Sequence, residues 1–350
     1  MAAFSLTLEV AGGELSKFGD IQITRAVNGL GLSGVCTTQM TFKVPAPLYA
    51  YRAATVKLGG IGGLPTLYIS QRSQSKGVVT VTCLDRTAFL DEPFPIEDFT
   101  AAGDSIALSD VMQKIVDKCG FSGWGMMASS SWRYPTSLLQ GATCLDILNR
   151  ISEVYVGVWW CNADENLQFV SFPNVTGGFR VNEHTAVDFG AEYEPAGVCV
   201  TDKAGVKHIR GSGLHKYDTI TVDSELASKA TAEEVYSRIK GKKIKSLVCD
   251  RCKIYSPLDI PPIVSYVSFK QFDGDDTYSD LRVNNIVCSV NSQGIFATIR
   301  CNEPANDEIG LRGRITTALN SKARYGEYGN AVFNKYQGWL YVEEDEPSGE

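Results

Sequence analysis

The chain has 350 residues, 44% hydrophobic and 21% charged, with 33 basic and 40 acidic residues for a net charge of −7. That length suggests roughly two to four domains and the composition is that of an ordinary globular protein. The acidic balance argues against nucleic acid or an anionic membrane as a direct partner, because phosphate binding needs clustered Lys and Arg; the longest such cluster, Lys240-Gly241-Lys242-Lys243-Ile244-Lys245, is short and reads as a solvated loop.

Met1-Ala2-Ala3 leads straight into Phe4-Ser5-Leu6-Thr7-Leu8-Glu9-Val10, whose alternation predicts a half-buried strand. No secretory leader is visible and no apolar run approaches the ~20 residues of a membrane span. A reducing cytosol is therefore the expected folding compartment. The ten cysteines suit it: Cys83, Cys199 and Cys288 occupy apolar slots in strand-like runs, as unpaired core thiols do.

Further strands are predicted at Ile21 to Arg25, Gln39 to Val44, Thr55 to Leu58, Leu67 to Ser70 and Val78 to Leu84, with Lys76-Gly77 at a hairpin tip. Short strands at this spacing indicate a barrel or sandwich over residues 1–95. The period then changes. Asp104 or Ser105 is placed to cap a helix carrying Leu108, Val111, Met112, Ile115 and Val116 on one side and stopped by Gly120. Thr143 opens a second helix, with Asp146 where an acidic side chain returns a capping bond, and Gly157 ends it. A hairpin follows, Val158-Trp159-Trp160-Cys161 against Asn166-Leu167-Gln168-Phe169-Val170. This α+β stretch spans residues 96–182.

Strand patterns return at Thr185 to Phe189, Ala196 to Thr201, Thr219 to Val222, Lys245 to Tyr255, Ile263 to Phe269, Arg282 to Ser289 and Gly294 to Asn302. They predict a second β unit over 183–303 with a helical insertion around 206–245, its helix opened by Thr231-Ala232-Glu233-Glu234. Residues 304–350 read as a helix from Asn306 to about Lys322 and an acidic tail. The fold class is mainly β with α+β insertions: two related β-barrel domains plus a small α+β domain.

Chemistry-bearing motifs are few. Gly29-Leu30-Gly31-Leu32-Ser33-Gly34 matches G-x-G-x-x-G, but a dinucleotide site needs that loop to open a helix, and VCTTQMTFKV follows instead. Cys249-Asp250-Arg251-Cys252 is a lone CxxC in a strand-like run. Residues three apart on a regular strand point to opposite faces, so the two thiols are not expected to share a ligand. His184, His208 and His215 lie in polar, loop-like contexts that suit solvated imidazoles, and Asp273, Asp275 and Asp276 read as an exposed loop. No catalytic residue, metal ligand or cofactor site is expected. Trp159 and Trp160 face opposite sides of their strand, one toward the core and the other available to a partner, and are the candidate interface residues.

The order of elements resembles the hub proteins of phage tail baseplates and tail tips, including the trimeric hub of contractile tails and injection systems and the N-terminal part of tail-associated lysins. The residues that carry the resemblance are Leu67-Tyr68-Ile69-Ser70 with Val79-Thr80-Val81-Thr82-Cys83-Leu84-Asp85, then Thr143-Cys144-Leu145-Asp146 through Trp159-Trp160 to Leu167, and the late unit around Val283-Asn284-Asn285-Ile286-Val287. Asp85, Thr143, Asp146 and Leu167 are its structural-motif positions. Asp164-Glu165-Asn166 departs from the family's Asp-Gly turn, and a bare hub without a fused lysin is the expectation.

The resemblance implies two related barrels per chain and a homotrimer with near-sixfold symmetry, joining a hexameric tail tube or distal tail protein to a trimeric spike or tip protein. It further implies contact with the tape-measure C-terminus, DNA passing only transiently through the channel, no membrane partner, assembly in the host cytoplasm and a final place in the virion tail tip or baseplate. Acidic channel walls are expected from the chain's net charge. A cell-wall hydrolase and a receptor-binding tail module are the alternatives from other classes.

Overall fold

The computed structural model describes residues 7–10, 13–15, 18–27, 34–46, 55–59, 63–99, 103–126, 132–172, 174, 178–181, 186–193, 195–211, 219–241, 244–254, 263, 266–271, 274–276, 283–291, 294–301, 331–334 and 339–342. The architecture is mainly β with three α-helices among the described residues. The early strands are β1 (Thr7–Val10), β2 (Gly13–Leu15), β3 (Gly19–Ala26), β4 (Gly34–Pro45), β5 (Thr55–Gly59), β6 (Leu67–Ser75) and β7 (Val78–Leu84). Two 3-10 turns, Arg86–Asp91 and Ile96–Phe99, lead to β8 (Ser105–Ala107), α1 (Leu108–Cys119), β9 (Gly123–Met126) and β10 (Arg133–Pro135). Then come α2 (Cys144–Tyr155), β11 (Gly157–Cys161) and β12 (Asn166–Ser171). The later elements are β13 (Gly178–Val181), β14 (Ala186–Tyr193), β15 (Gly197–Thr201), β16 (Lys207–Gly211), β17 (Thr219–Asp223), α3 (Lys229–Ile239) and β18 (Ile244–Ile254). They continue through β19 (Tyr266–Gln271), β20 (Gly274–Asp276), β21 (Val283–Asn291), β22 (Gly294–Cys301), β23 (Ala331–Asn334) and β24 (Trp339–Val342).

The main sheet runs β14-β18-β22-β21-β3-β4-β7-β6-β5-β1-β2. It contains two four-stranded antiparallel units of identical order. Numbering the strands of each unit by sequence, β3, β4, β6, β7 and β14, β18, β21, β22 both lie in the sheet as first, second, fourth, third. The rows match as well. Ile23, Met40, Cys83 and Ile69 form one cross-strand row; Phe189, Leu247, Cys301 and Val283 form its counterpart. In both units the third strand carries one extra residue next to that row, between Ile69 and Gln71 and between Val283 and Asn285. The units join edge to edge through β21 and β3, antiparallel, with Cys288 opposite Ile23. Among the described pairings the path stays open, with β14 at one end and β2 at the other.

Alternation decides which face is buried. Ile21, Ile23, Met40, Phe42, Val44, Val79, Val81, Cys288, Val290, Ala297 and Ile299 point into one core, which also takes Val56 and Leu58 of β5, Val181 of β13 and Val267 of β19. The opposite face is hydroxyl- and amide-rich: Ser289, Gln22, Thr41 and Thr82 make one row, with Phe296 at its end. Across β22, β21, β3, β4 and β7 this face carries few charged side chains. Lys43, ion-paired to Asp20 at 2.8 Å, and Arg300 are among its few charges.

A second core gathers α1, α2, β11 and β12, with Met112, Ile115, Ile147, Leu148, Ile151, Trp159 and Phe169 at its centre. A third lies under α3 and contains Val198, Val200, Ala232, Val235 and Ile239 together with Val156 and Phe172.

Several local expectations need correction. α1 begins after the short strand β8, with Ala107 at the N-cap and no side-chain bond, so neither Asp104 nor Ser105 caps it; Gly120 does end it, at φ 73°. α2 ends at Val156, which takes the left-handed conformation at φ 48°, and not at Gly157. Gly157 instead opens β11 against Phe169, where a Cβ would lie 2.2 Å from the ring Cζ. α3 is capped by Ser228, with Thr231 at the third position and not, as the Thr231-Ala232-Glu233-Glu234 pattern predicts, at the cap. The insertion expected to be helical also holds β16 and β17, which flank β15; β17 runs parallel to it. Gly274 to Asp276 form a short strand paired to β19, and β23 pairs with β24 as an unexpected hairpin beyond residue 304. The helix expected from Asn306 to Lys322 lies outside the described residues, as do His184 and His215.

Candidate functional site: the joint between sheet and helical layer

β4 is shared by both layers. Residues Gly34 to Cys36 pair in parallel with Val158 to Trp160 of β11, and the rest of the strand runs on into the main sheet. Gly34 N–H also donates to Ser152 Oγ of α2 at 2.9 Å. Chain leaving β7 crosses from sheet to helices at this place, and Asp85 anchors the crossing.

Asp85 is fully buried. Its Oδ2 accepts from Thr38 N–H at 2.7 Å, its Oδ1 accepts from Thr87 N–H at 2.9 Å and from the Thr87 hydroxyl, and its own N–H donates to the Thr38 carbonyl at 2.9 Å. It thus caps the 3-10 turn and ties that turn to β4 in one step. Burial pushes its carboxyl above the usual range, opposed by the hydrogen bonds from Thr87 and Thr38.

Arg86 completes the joint. Its Nη2 donates to Glu165 Oε2 at 2.7 Å and to the Tyr68 hydroxyl, its Nη1 donates to the Cys119 carbonyl at 3.4 Å, and its guanidinium lies over the Tyr68 ring at 4.9 Å. It therefore links β6, the end of α1 and the β11–β12 turn. Burial raises the Glu165 carboxyl, but hydrogen bonds from Thr66 and Arg86 and the Arg86 charge outweigh it and hold the group below the usual carboxylate range. Arg25 is a second fully buried charge beside Asp85, 3% exposed at a core position of β3, with Nη2 donating to the Gly63 carbonyl at 2.7 Å. Sequence reasoning missed Arg25, Arg86 and Glu165. A signal existed for Arg25: it continues the buried phase of Ile21 and Ile23, where a charge must find partners.

The motif positions fall around this joint. Thr143 caps α2, accepting from Asp146 N–H at 3.1 Å while Asp146 Oδ2 accepts from Thr143 N–H at 2.9 Å. Leu167 is buried on β12 opposite Cys161. Trp159 is fully buried; its Nε1 donates to the Leu148 carbonyl at 3.1 Å and its ring packs 4.7 Å from Phe169. Trp160 points the other way, half-buried against the sheet core, with its Nε1 lacking a hydrogen-bond partner among the described residues.

The CxxC expectation is overturned. Cys249 is opposite Ile299 and Cys252 opposite Ala297, so three steps along β18 match two along β22. The extra residue is absorbed at a bulge with Arg251 at φ 46°, and both cysteines face the core with their sulfurs 2.8 Å apart. His208 is not a free solvated imidazole: its Nε2 lies 2.9 Å from Asp202 Oδ2, and Asp202 also accepts from Ala204 and Val206 N–H. The G-x-G-x-x-G segment connects β3 to β4, antiparallel neighbours, so it opens no helix. No group of three or more His, Cys, Asp or Glu side chains gathers for a metal among the described residues, and no helix among them is long and apolar enough to cross a membrane.

No family model matches the sequence, and no curated protein matches it. The fold, in contrast, is shared. The tail protein from Neisseria meningitidis MC58 superposes with a TM-score of 0.56 at 12% identity, over 88% of this chain and 98% of that one. The 43 kDa tail protein of prophage MuSo2 from Shewanella oneidensis gives 0.54 at 15%, over 85% and 97%. Prophage tail protein gp18 from Listeria monocytogenes EGD-e gives 0.52 at 11%, over 90% and 99%. The chain has the fold of phage tail proteins.

Proposed function

We propose that this chain is a structural, non-enzymatic hub of a phage tail tip or baseplate, a homotrimeric adaptor between a hexameric tail tube and a trimeric spike or tip. The observation that carries the reading is the duplicated four-stranded unit with its edge-to-edge β21–β3 joint. Each unit is read as one of two related barrel-like halves, closed by β1, β2 and β5 in the first and by β13, β19 and β20 in the second. A chain with two equivalent units is suited to repeat its internal joint with the next copy. Among the described pairings β5 meets β6 only at Leu67 and Tyr68; the later part of β6 would then meet β14 of the next chain, and the register of the internal joint sets Gln74 opposite Phe189. Three chains would present six units, matching a sixfold tube on one face while the insertions keep the other face threefold.

The neutral hydroxyl and amide face of the sheet would line the channel. Such a wall, with few charges beyond Lys43 and Arg300, offers DNA phosphates few ion pairs and little repulsion, which suits transient passage. The remaining partners in this reading are the tube or distal tail protein, the spike or tip protein and the C-terminus of the tape-measure protein, with assembly in the host cytoplasm. Trp160 is the interface candidate, since aromatic anchors dominate interfaces.

The test is disulfide cross-linking of the Gln74→Cys, Phe189→Cys double variant in assembled tails. Dimer and trimer bands absent from either single variant are expected. Monomer alone, or a ladder extending to six, overturns the trimer.

A further inference from the structure

We propose that Cys249 and Cys252 are a disulfide-forming pair that clamps the bulge in β18. On a regular strand two residues three apart point to opposite faces, about 10 Å apart along the chain. Here the extra residue turns both onto the core face, and their sulfurs approach to 2.8 Å, nearer than two unbonded sulfurs ordinarily sit. A disulfide needs about 2 Å and a Cα separation within about 7 Å; the bulge supplies the approach that a plain strand denies.

The pair is distinguished from the other cysteines of the same core. Cys83 and Cys301 hold equivalent places in the two four-stranded units, each buried in the same cross-strand row. Cys249 and Cys252 have no such counterpart: the matching segment of β4 pairs with β7 without interruption, through Gln39 to Pro45. The bulge and the dithiol are thus a feature of the second unit alone. Both thiols are fully buried, and the mutual hydrogen bond together with burial raises the Cys249 thiol above the ordinary range, so it stays protonated. The reduced pair is therefore slow to react in the closed fold, and oxidation proceeds while the β18–β22 pairing is open.

The step balances with a peroxide as oxidant. The two thiols lose two protons and two electrons, the sulfur–sulfur bond forms, and the O–O bond of hydrogen peroxide breaks to give two water molecules. Closing the ring fixes the strained Arg251 turn, whose guanidinium lies 5.5 Å over the Phe296 ring on the opposite face.

The experiment uses the native full chain, treated with hydrogen peroxide or with a phosphine reductant, then denatured with an alkylating agent and digested with trypsin. Cleavage after Lys245, Arg251 and Lys253 places the two cysteines on separate peptides, Ser246–Arg251 and Cys252–Lys253. The expected result is a covalent link between those two peptides after oxidation and its loss on reduction. Free thiols should fall from ten to eight, with a rise in melting temperature of about 2–4 °C that Cys252→Ser abolishes. All ten thiols remaining alkylatable, a link from either residue to Cys288 or Cys301, or a link that forms only in denatured protein overturns the assignment.

Discussion

The two four-stranded units share strand order, an extra residue at the same place in the third strand, and a buried cysteine in the same row, yet they are braced differently. The first is welded to a helical layer: β4 pairs with β11, Asp85 ties the exit of β7 back to β4, and α2 packs on the same strand. The second carries its helix in an insertion between its first and second strands. That helix, α3, packs on β15 and β16 and shares its core with Val156 and Phe172 of the helical layer, not with β18 or β22. In place of a brace, the second unit has a bulge between its second and fourth strands. A duplicated sheet therefore keeps what its pairing rows require. The connections, which face outward, are free to differ.

The largest expected effect tests the brace. Trp159→Ala removes a fully buried indole and its bond to Leu148, at a cost of about 3–5 kcal/mol. Hydrogen exchange should rise in β4 and β7 while β18 and β22 keep their protection. Equal loss in both units would erase the distinction. Trp160→Ala, at a half-buried position, should cost less to the fold and, in the proposed assembly, weaken docking of the tail components; a pure stability loss with normal docking removes its interface role.

Asp85→Asn should come next. It leaves backbone donors of Thr38 and Thr87 poorly matched inside the core, worth roughly 1–3 kcal/mol. The sign of the pH dependence follows from the raised carboxyl. The native state holds this proton more tightly than the unfolded chain, so the group favours folding below its unfolded pKa, and that contribution is lost as pH rises through its elevated native value. Urea titrations from the acid range toward neutrality should show this falling component in the wild type and lack it in the variant.

The smallest effect is at the α2 cap. Thr143→Ala removes one half of a reciprocal pair of bonds, about 1 kcal/mol. Differential scanning calorimetry should show a lower melting temperature with exchange in the second unit unchanged. A drop of several kcal/mol would mean that the joint depends on this cap far more than its exposed position implies.

The alternation of Ile21, Ile23 and of Val79, Val81, Cys83 determined which face of each strand is buried, because side-chain direction on a strand is a local property. Thr143 with Asp146, Gly120 after α1 and Lys76-Gly77 at the hairpin tip were legible for the same reason: a cap or a turn is settled within a few residues. The order of β and α stretches, and with it the resemblance to tail hubs, also came from the chain alone. Tertiary structure decided the rest. Whether β21 joins β3 depends on two edges more than two hundred residues apart, and no local pattern names an edge's partner. The face of Cys252 depends on an extra residue in β18 that exists only relative to the register of β22. Arg25 is tolerated in the core because Gly63 offers a carbonyl and Asp85 lies near, and neither is adjacent in sequence. Local chemistry set the elements and their faces; pairing between distant edges set the joint, the bulge and the shared sheet.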